Sequence, residues 1–354
     1  MIAPGVRGKG AYNVIGMYLT ITEPIAKLII DAFKSRQFRD SDDENSFFEE
    51  YGFGNAAATI DRPFERLNDY EQLLSDLRRK APEKYRRAHK GTPFGFMSWF
   101  AFDLQNYEKA LFYMDAGISE DFKNYHEHDK WITLPGARFL LLNPDPHNPW
   151  LKRTFDDLKQ LLERELTRFN RISGQHLDLG SWRNLVETLL RGHPKEWSLI
   201  SALYLFLLQS EDRRLELELR DGSSGGSNQP FTVHLFTGGL LFESLLKRYY
   251  KQADGSEFRT VEGVLARSDQ FSRDFFGGMN PFVGGDFQAN SLEEIHAAID
   301  NDRPMETAFK TAGKLRNTTG HNLVRDNIFD TSDKYLDLSR QVMNAVFYVI
   351  LKLT

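Results

Sequence analysis

The stretch KLRNTTGHNLVRDN, residues 314 to 327, sets an arginine and a histidine five positions apart among threonines, asparagines and a glycine, within sequence that otherwise reads as helix. A guanidinium offers a planar fork of donors suited to two phosphate oxygens, and an imidazole exchanges a proton near neutral pH. The pair Arg316 and His321 therefore suits attack of a ribose 2′-hydroxyl on its neighbouring phosphodiester. Arg316 would hold the phosphate as it becomes a more charged pentacoordinate species, and His321 would move the proton. This chemistry calls for no metal and no cofactor. Asn317 could orient the phosphate or a partner side chain through its amide, and Lys314, Thr318 and Arg325 are the nearest candidates to bind the substrate.

The pair needs a particular element to position it. In an intact α-helix, positions five apart are separated by roughly 500°, which is about 140° after one full turn, so the two side chains would not aim at one point. Thr318, Thr319 and Gly320 are poor helix residues, glycine by about 1 kcal/mol relative to alanine, and their succession predicts a break or bent turn just before His321. The same residues also fit a plain helix C-terminus, where cations favour the dipole and Gly320 is a natural stop.

The rest of the chain supplies helices to carry such a motif. Apolar residues recur at helical spacing almost throughout, which predicts a mostly α protein. In 149 to 170, Trp150, Leu151, Phe155, Leu158, Leu162, Leu166 and Phe169 fall on one stripe of an amphipathic helix. Similar stripes run through 22–36, 63–80, 94–117, 179–191 and 195–209. WITLPGARFLLLN, 131 to 143, is the one strand-like piece, but it contains Pro135 and Gly136 and reads equally as a buried connection. The segment 94 to 117 resembles a tetratricopeptide-like helical hairpin, with Tyr107, Ala110, Met114 and Gly117 at the bulky and small positions of the second helix and Ser98 at the small position of the first.

DGSSGGSNQP, 221 to 230, is small, polar and followed by a new apolar run, which predicts a linker between a helical domain over 1–220 and a second helical unit over 231–354. In that second part Ser291, with Glu294 three places on, opens a short helix by a capping box. The last helix is apolar almost all round from Val342 to Leu351, so it belongs at the centre of a bundle or in a subunit interface.

RNTTGH, 316 to 321, resembles the R-x4-6-H signature of HEPN domains, a helical superfamily of ribonucleases and nucleotide-binding proteins, including the polar residue directly after the arginine. Its placement near the end of a short helical domain, with one long apolar helix after it, is also similar. The resemblance covers about 231–354 and implies a four- to five-helix bundle acting as a metal-independent endoribonuclease on RNA. It further implies a homodimer with the motifs of two protomers facing each other across one cleft. Arg316, Asn317 and His321 are the positions that match, and Glu243, on the helix LLFESLLK, is a candidate acid to orient Arg316. Such proteins are similar to toxins of toxin–antitoxin pairs and to antiviral defence effectors, in which a further domain engages a regulatory or antitoxin protein; here that role falls to 1–220. The alternative is a non-catalytic module in which the same cleft binds nucleotide or RNA or holds a dimer together.

Composition narrows the setting. A chain of 354 residues, 41% hydrophobic and 27% charged with net charge −5, is globular and is not a broadly basic nucleic-acid-coating protein. The absence of cysteine excludes disulfides, thiolate nucleophiles and cysteine-bearing metal sites, and fits an intracellular, cytoplasmic protein. No segment reaches about 18 uncharged apolar residues, so no membrane partner is expected. Other constellations give less. His126 and His128 in NYHEHDK would share a metal only on a strand, with no third ligand at motif spacing. His147 and His193 sit in proline-marked breaks, and the glycines of GVRGKGAYN lack the G-K-[ST] of a phosphate loop. FFGGMNPFVGGDFQAN, 275 to 290, reads as a loop pinned by its phenylalanines, or as a lid or dimer contact.

Overall fold

The helical spacing of apolar residues produces a mostly α protein. The structure, a computed structural model, describes residues 21–51, 62–143, 152–219, 228–289, 291–320 and 332–353. Among these residues there is no strand, only an isolated bridge between Lys251 and Glu257. The chain forms two compact units, 1–156 and 157–354.

The first unit contains α1 (Glu23–Ser35), α2 (Ser41–Glu50), α3 (Pro63–Lys80), α4 (Pro82–Arg87), α5 (Gly91–Asp103), α6 (Tyr107–Tyr125) and α7 (Pro135–Leu140). The run Met97–Phe102 of α5 is buried on every side, because α5 packs against α2, α3 and α6 at once. α5 and α6 form the helical hairpin expected around 94–117 and extend it at both ends. Gln105, at φ 56°, turns the chain between them, and the Asn106 side chain caps α6 by accepting from the Lys109 N–H at 3.2 Å. The strand-like reading of 131–143 is not realised. Glu127–Thr133 is a 3-10 helix, and Pro135 opens α7, where its fixed φ and missing N–H suit a first helical turn and would interrupt a strand ladder.

The second unit is built from α8 (Lys152–Ser173), in whose second turn the division falls, α9 (Leu179–Gly192), α10 (Trp197–Leu219), α11 (Gln229–Tyr249), α12 (Val261–Arg267), α13 (Asp269–Phe276), α14 (Leu292–Ala297), α15 (Pro304–Thr319) and α16 (Ser332–Leu353). The stripe of α8 faces inward from Phe155 to Phe169; Trp150 and Leu151 lie outside the described residues. Ser291 caps α14 by accepting from the Glu294 N–H at 3.1 Å. Every residue of α16 from Val342 to Ile350 is buried, and the helix packs against α9, α10, α11, α14 and α15. Its apolar circumference is thus that of a central helix. The division at 156/157 precedes the polar stretch 221–230, of which 221–227 lie outside the described residues. α10 before that stretch and α11 after it pack together, so α8 to α10 share a unit with the later helices.

α11 is the hub of this unit, lying against α10, α15 and α16. Two adjacent glycines permit this. A Cβ at Gly238 would stand 2.4 Å from Phe206 Cε2 and 2.9 Å from Val342 Cγ1. One at Gly239 would stand 2.8 Å from Arg316 Cβ and 2.9 Å from its Cα. Two glycines inside a helix cost roughly 2 kcal/mol of helix propensity, and the close packing of three neighbouring helices offsets it. One turn earlier, Phe206 stacks on His234 with ring centroids 4.1 Å apart, so the same phenylalanine fills the slot left by Gly238.

Candidate functional site

α15 carries the Arg-Asn-Thr-Thr-Gly segment. Pro304 opens the helix at its first turn, where the missing N–H costs nothing. Thr318 and Thr319 are its last two residues. Both are buried in helical conformation, and Thr319 Oγ1 donates back to the Leu315 carbonyl at 2.5 Å, a bond that satisfies a hydroxyl inside a helix. The helix ends at Thr319, with Gly320 as its cap at φ −66° and ψ −15°, so it stops just before His321, where the sequence places the break. His321 and Arg325, two of the site residues expected from the sequence, lie outside the described residues.

Arg316 occupies the face of α15 turned to α11. Its Nε donates to Glu243 Oε2 at 2.5 Å, and Lys247 Nζ lies 2.7 Å from Glu243 Oε1. Glu243 is buried, with 5% of its side chain exposed, and two cations compensate its charge. Arg316 retains 30% exposure, and among the described residues its Nη groups meet no partner. The guanidinium is thus held by one nitrogen and presents its outer fork. Gly239 sets the approach, because α15 backbone touches α11 at Arg316 itself. Phe236 closes the end of the helix, 3.1 Å from where a Cβ on Gly320 would sit.

The other expected contacts are elsewhere. Two positions along a helix are a rotation of roughly 200°, so Lys314 and Thr318 turn away from Arg316. Lys314 is buried with Nζ 4.0 Å from Glu294 Oε1 on α14. Asn317 Nδ2 donates to the Phe287 carbonyl and Thr318 Oγ1 to that of Ala289, each at 3.4 Å. These side chains secure the glycine-rich loop and α14, so the structure brings Glu243 to Arg316 but does not bring Lys314, Asn317 or Thr318 to the same face.

The loop 277–289 is pinned by its phenylalanines. Phe282 and Phe287 are 2% exposed and pack on each other, Phe282 also on Phe271 and Phe276, while Met279 and Val283 project at 84% and 71% exposure. Gly277, Gly278 and Gly284 take φ of 59°, 90° and 71°, which glycine adopts without steric cost. Asn280 fastens the turn by donating to the Leu265 carbonyl at 2.7 Å.

Gly239 and Lys247 belong to the site and were not anticipated. The signal for the first is an adjacent glycine pair inside an apolar helical run, FTGGLLF, which implies a close helix crossing. The signal for the second is the four-residue spacing from Glu243. Among the described residues no group of three or more His, Asp or Glu is placed to hold a metal ion, and no helix is long and apolar enough to cross a membrane. In comparisons with protein-family models, curated proteins and solved structures, none matches this chain.

Proposed function

We propose that the second unit is a HEPN-like endoribonuclease, acting inside the cell in a defence or toxin-type setting, which cleaves RNA by 2′-hydroxyl attack on the adjacent phosphodiester. The observation that carries the reading is the tethered guanidinium: Arg316 is fixed by Glu243 through Nε, its outer fork is available, and α15 ends one residue before His321. In this reading the fork of Arg316 receives the non-bridging oxygens, His321 transfers the proton, and Glu243 is a positioning residue. Local positive charge would come from elsewhere in the unit than Lys314: Arg171 and Arg340 line a depression between α8 and α16, together with the paired Arg164 and Arg168 and the acids Glu163 and Glu165. RNA affinity built on such contacts falls steeply with salt. A partner or regulator would act through the N-terminal part, and two protomers would complete the cleft.

A non-catalytic nucleotide- or RNA-binding module is the second reading, favoured by the engagement of Asn317 and Thr318 with the 287–289 backbone. Incubation of the purified chain with RNA in EDTA separates the two. Cleavage is expected in the wild type, with a loss of about 10²-fold or more in Arg316→Ala and His321→Ala. Glu243→Gln should lower the rate less, because a neutral amide still accepts from Nε. Intact RNA with retained, salt-sensitive binding would replace the enzyme by the module.

A further inference from the structure

The first unit contains a cavity of about 400 Å³ walled by α2, α5 and α6 and by the corner that leads into α7. A buried polar cluster forms its inner end. His89 is 1% exposed; its Nδ1 lies 2.6 Å from Asn45 Oδ1 and its Nε2 lies 3.0 Å from Asp121 Oδ1. Thr92 Oγ1 donates to the same Asn45 oxygen at 3.3 Å, so that oxygen is the acceptor and His89 Nδ1 carries a proton. His89 Nε2 and Asp121 Oδ1 then share one further proton. Gly91 makes room for the pair, since a Cβ there would lie 2.5 Å from Asp121 Oδ1 and 2.8 Å from His89 Cε1. Burial raises the Asp121 carboxyl above its ordinary range, and the His89 hydrogen bond opposes that rise.

Asp121 has a second oxygen. Among the described residues no donor meets Oδ2, and Asp121 lines the cavity. The remaining charges on the wall are Asp42, Glu49 and Lys130, so carboxylates outnumber ammonium groups. The walls also supply π faces. Lys130 Nζ lies 4.4 Å from the Tyr125 ring centroid at the cavity, showing that an ammonium is accommodated there, and Tyr125 donates its hydroxyl proton to Asp42 Oδ1 at 2.8 Å. Trp99 and Phe96 line the cavity as well. An anion would meet the carboxylates of Asp42 and Glu49 in this space, whereas a cation gains charge-assisted hydrogen bonds and an aromatic surface.

We propose that this cavity is a binding site for a compact organic cation with a flat apolar body, its ammonium or amidinium received by Asp121 and the acidic rim of Asp42 and Glu49, its body lying against Trp99. The site is independent of the reading given to the second unit. Calorimetric titration of the full chain with benzamidine and phenethylamine, and with neutral benzamide and anionic benzoate as controls, tests it. Benzamidine is expected to bind at least about tenfold tighter than benzamide, with benzoate weakest. Asp121→Asn should remove most of that preference. Gly95 supplies a variant that keeps the fold: it lines the cavity and a Cβ there meets nothing within 4 Å, so Gly95→Leu should narrow the space, weaken binding and leave thermal stability at least equal. Equal affinity for benzamide or benzoate, no saturation by either cation up to about 10 mM, or undiminished binding to Gly95→Leu would overturn the proposal.

Discussion

His234 shows how completely one side chain is committed in the second unit. It is buried, stacked on Phe206, with Nε2 2.9 Å from the Phe206 carbonyl and Nδ1 2.8 Å from the Tyr335 hydroxyl. Only the neutral tautomer serves both, Nε2–H donating to the carbonyl and Tyr335 O–H donating to Nδ1. Burial lowers its pKa from 6.5 to about 3. The folded-state value lies below the unfolded one, so between these pH values the unfolded chain binds one more proton than the native chain. Its contribution is full above pH 6.5 and is lost as pH falls towards 3, at about 1.4 kcal/mol per pH unit. Urea unfolding of His234→Gln against wild type from pH 4 to 7 checks this: the variant should show a shallower acid slope by about one proton. Equal slopes would place the acid sensitivity on other groups. Arg316 differs in kind, since its partner Glu243 leaves its outer fork open.

Helix crossings, rather than helix propensities, determine where Arg316 stands. Gly239 lies against the Arg316 backbone, so Gly239→Ala gains about 1 kcal/mol of helix propensity and introduces a contact of 2.8 Å to Arg316 Cβ. The neighbour there is backbone and Cβ of α15, which cannot swing aside, and overpacking of this kind costs about 1–3 kcal/mol. A net loss of stability is expected in chemical denaturation, together with a change in RNA cleavage or binding beyond what the lost stability explains. A stabilised Gly239→Ala protein would mean that α11 and α15 are free to separate. Gly95→Leu, with open space before it, should behave in the opposite way.

The proposed two-protomer cleft belongs to the scale of the assembly. On α11, Val233 and Leu240 are 40% and 37% exposed, and Phe236 between them touches the end of α15 at Gly320. An apolar edge beside the motif is where a second protomer would pack if the motifs face each other. Light scattering at micromolar concentration is expected to give a dimer for the wild type and a shift to monomer for Leu240→Glu, with RNA cleavage falling in parallel. A monomeric wild type that cleaves RNA would remove the two-protomer cleft from the proposal.

The helical class, the inward stripe of α8, the Ser291 cap and the enclosed course of α16 were legible in the sequence, because each depends on the spacing of residue types along one helix. The strand-like reading of 131–143 failed through Pro135, whose value as the first residue of a helix outweighed the apolar run around it. The sequence also located the end of α15 next to His321, at the Thr318, Thr319 and Gly320 succession where the helix does stop. What faces Arg316 was decided only by tertiary structure. Glu243 and Gly239 reach it across a helix crossing, and Lys314, Asn317 and Thr318 are turned away by the helical rotation and engaged by α14 and the loop. The cavity beside His89 and Asp121 follows the same rule. Its residues come from segments up to 94 positions apart, from Asp42 to Gly136, and neither their types nor their spacing records that they meet. Local pattern determines which elements form, because it acts through neighbours in the chain. The packing of those elements determines which side chains share a site.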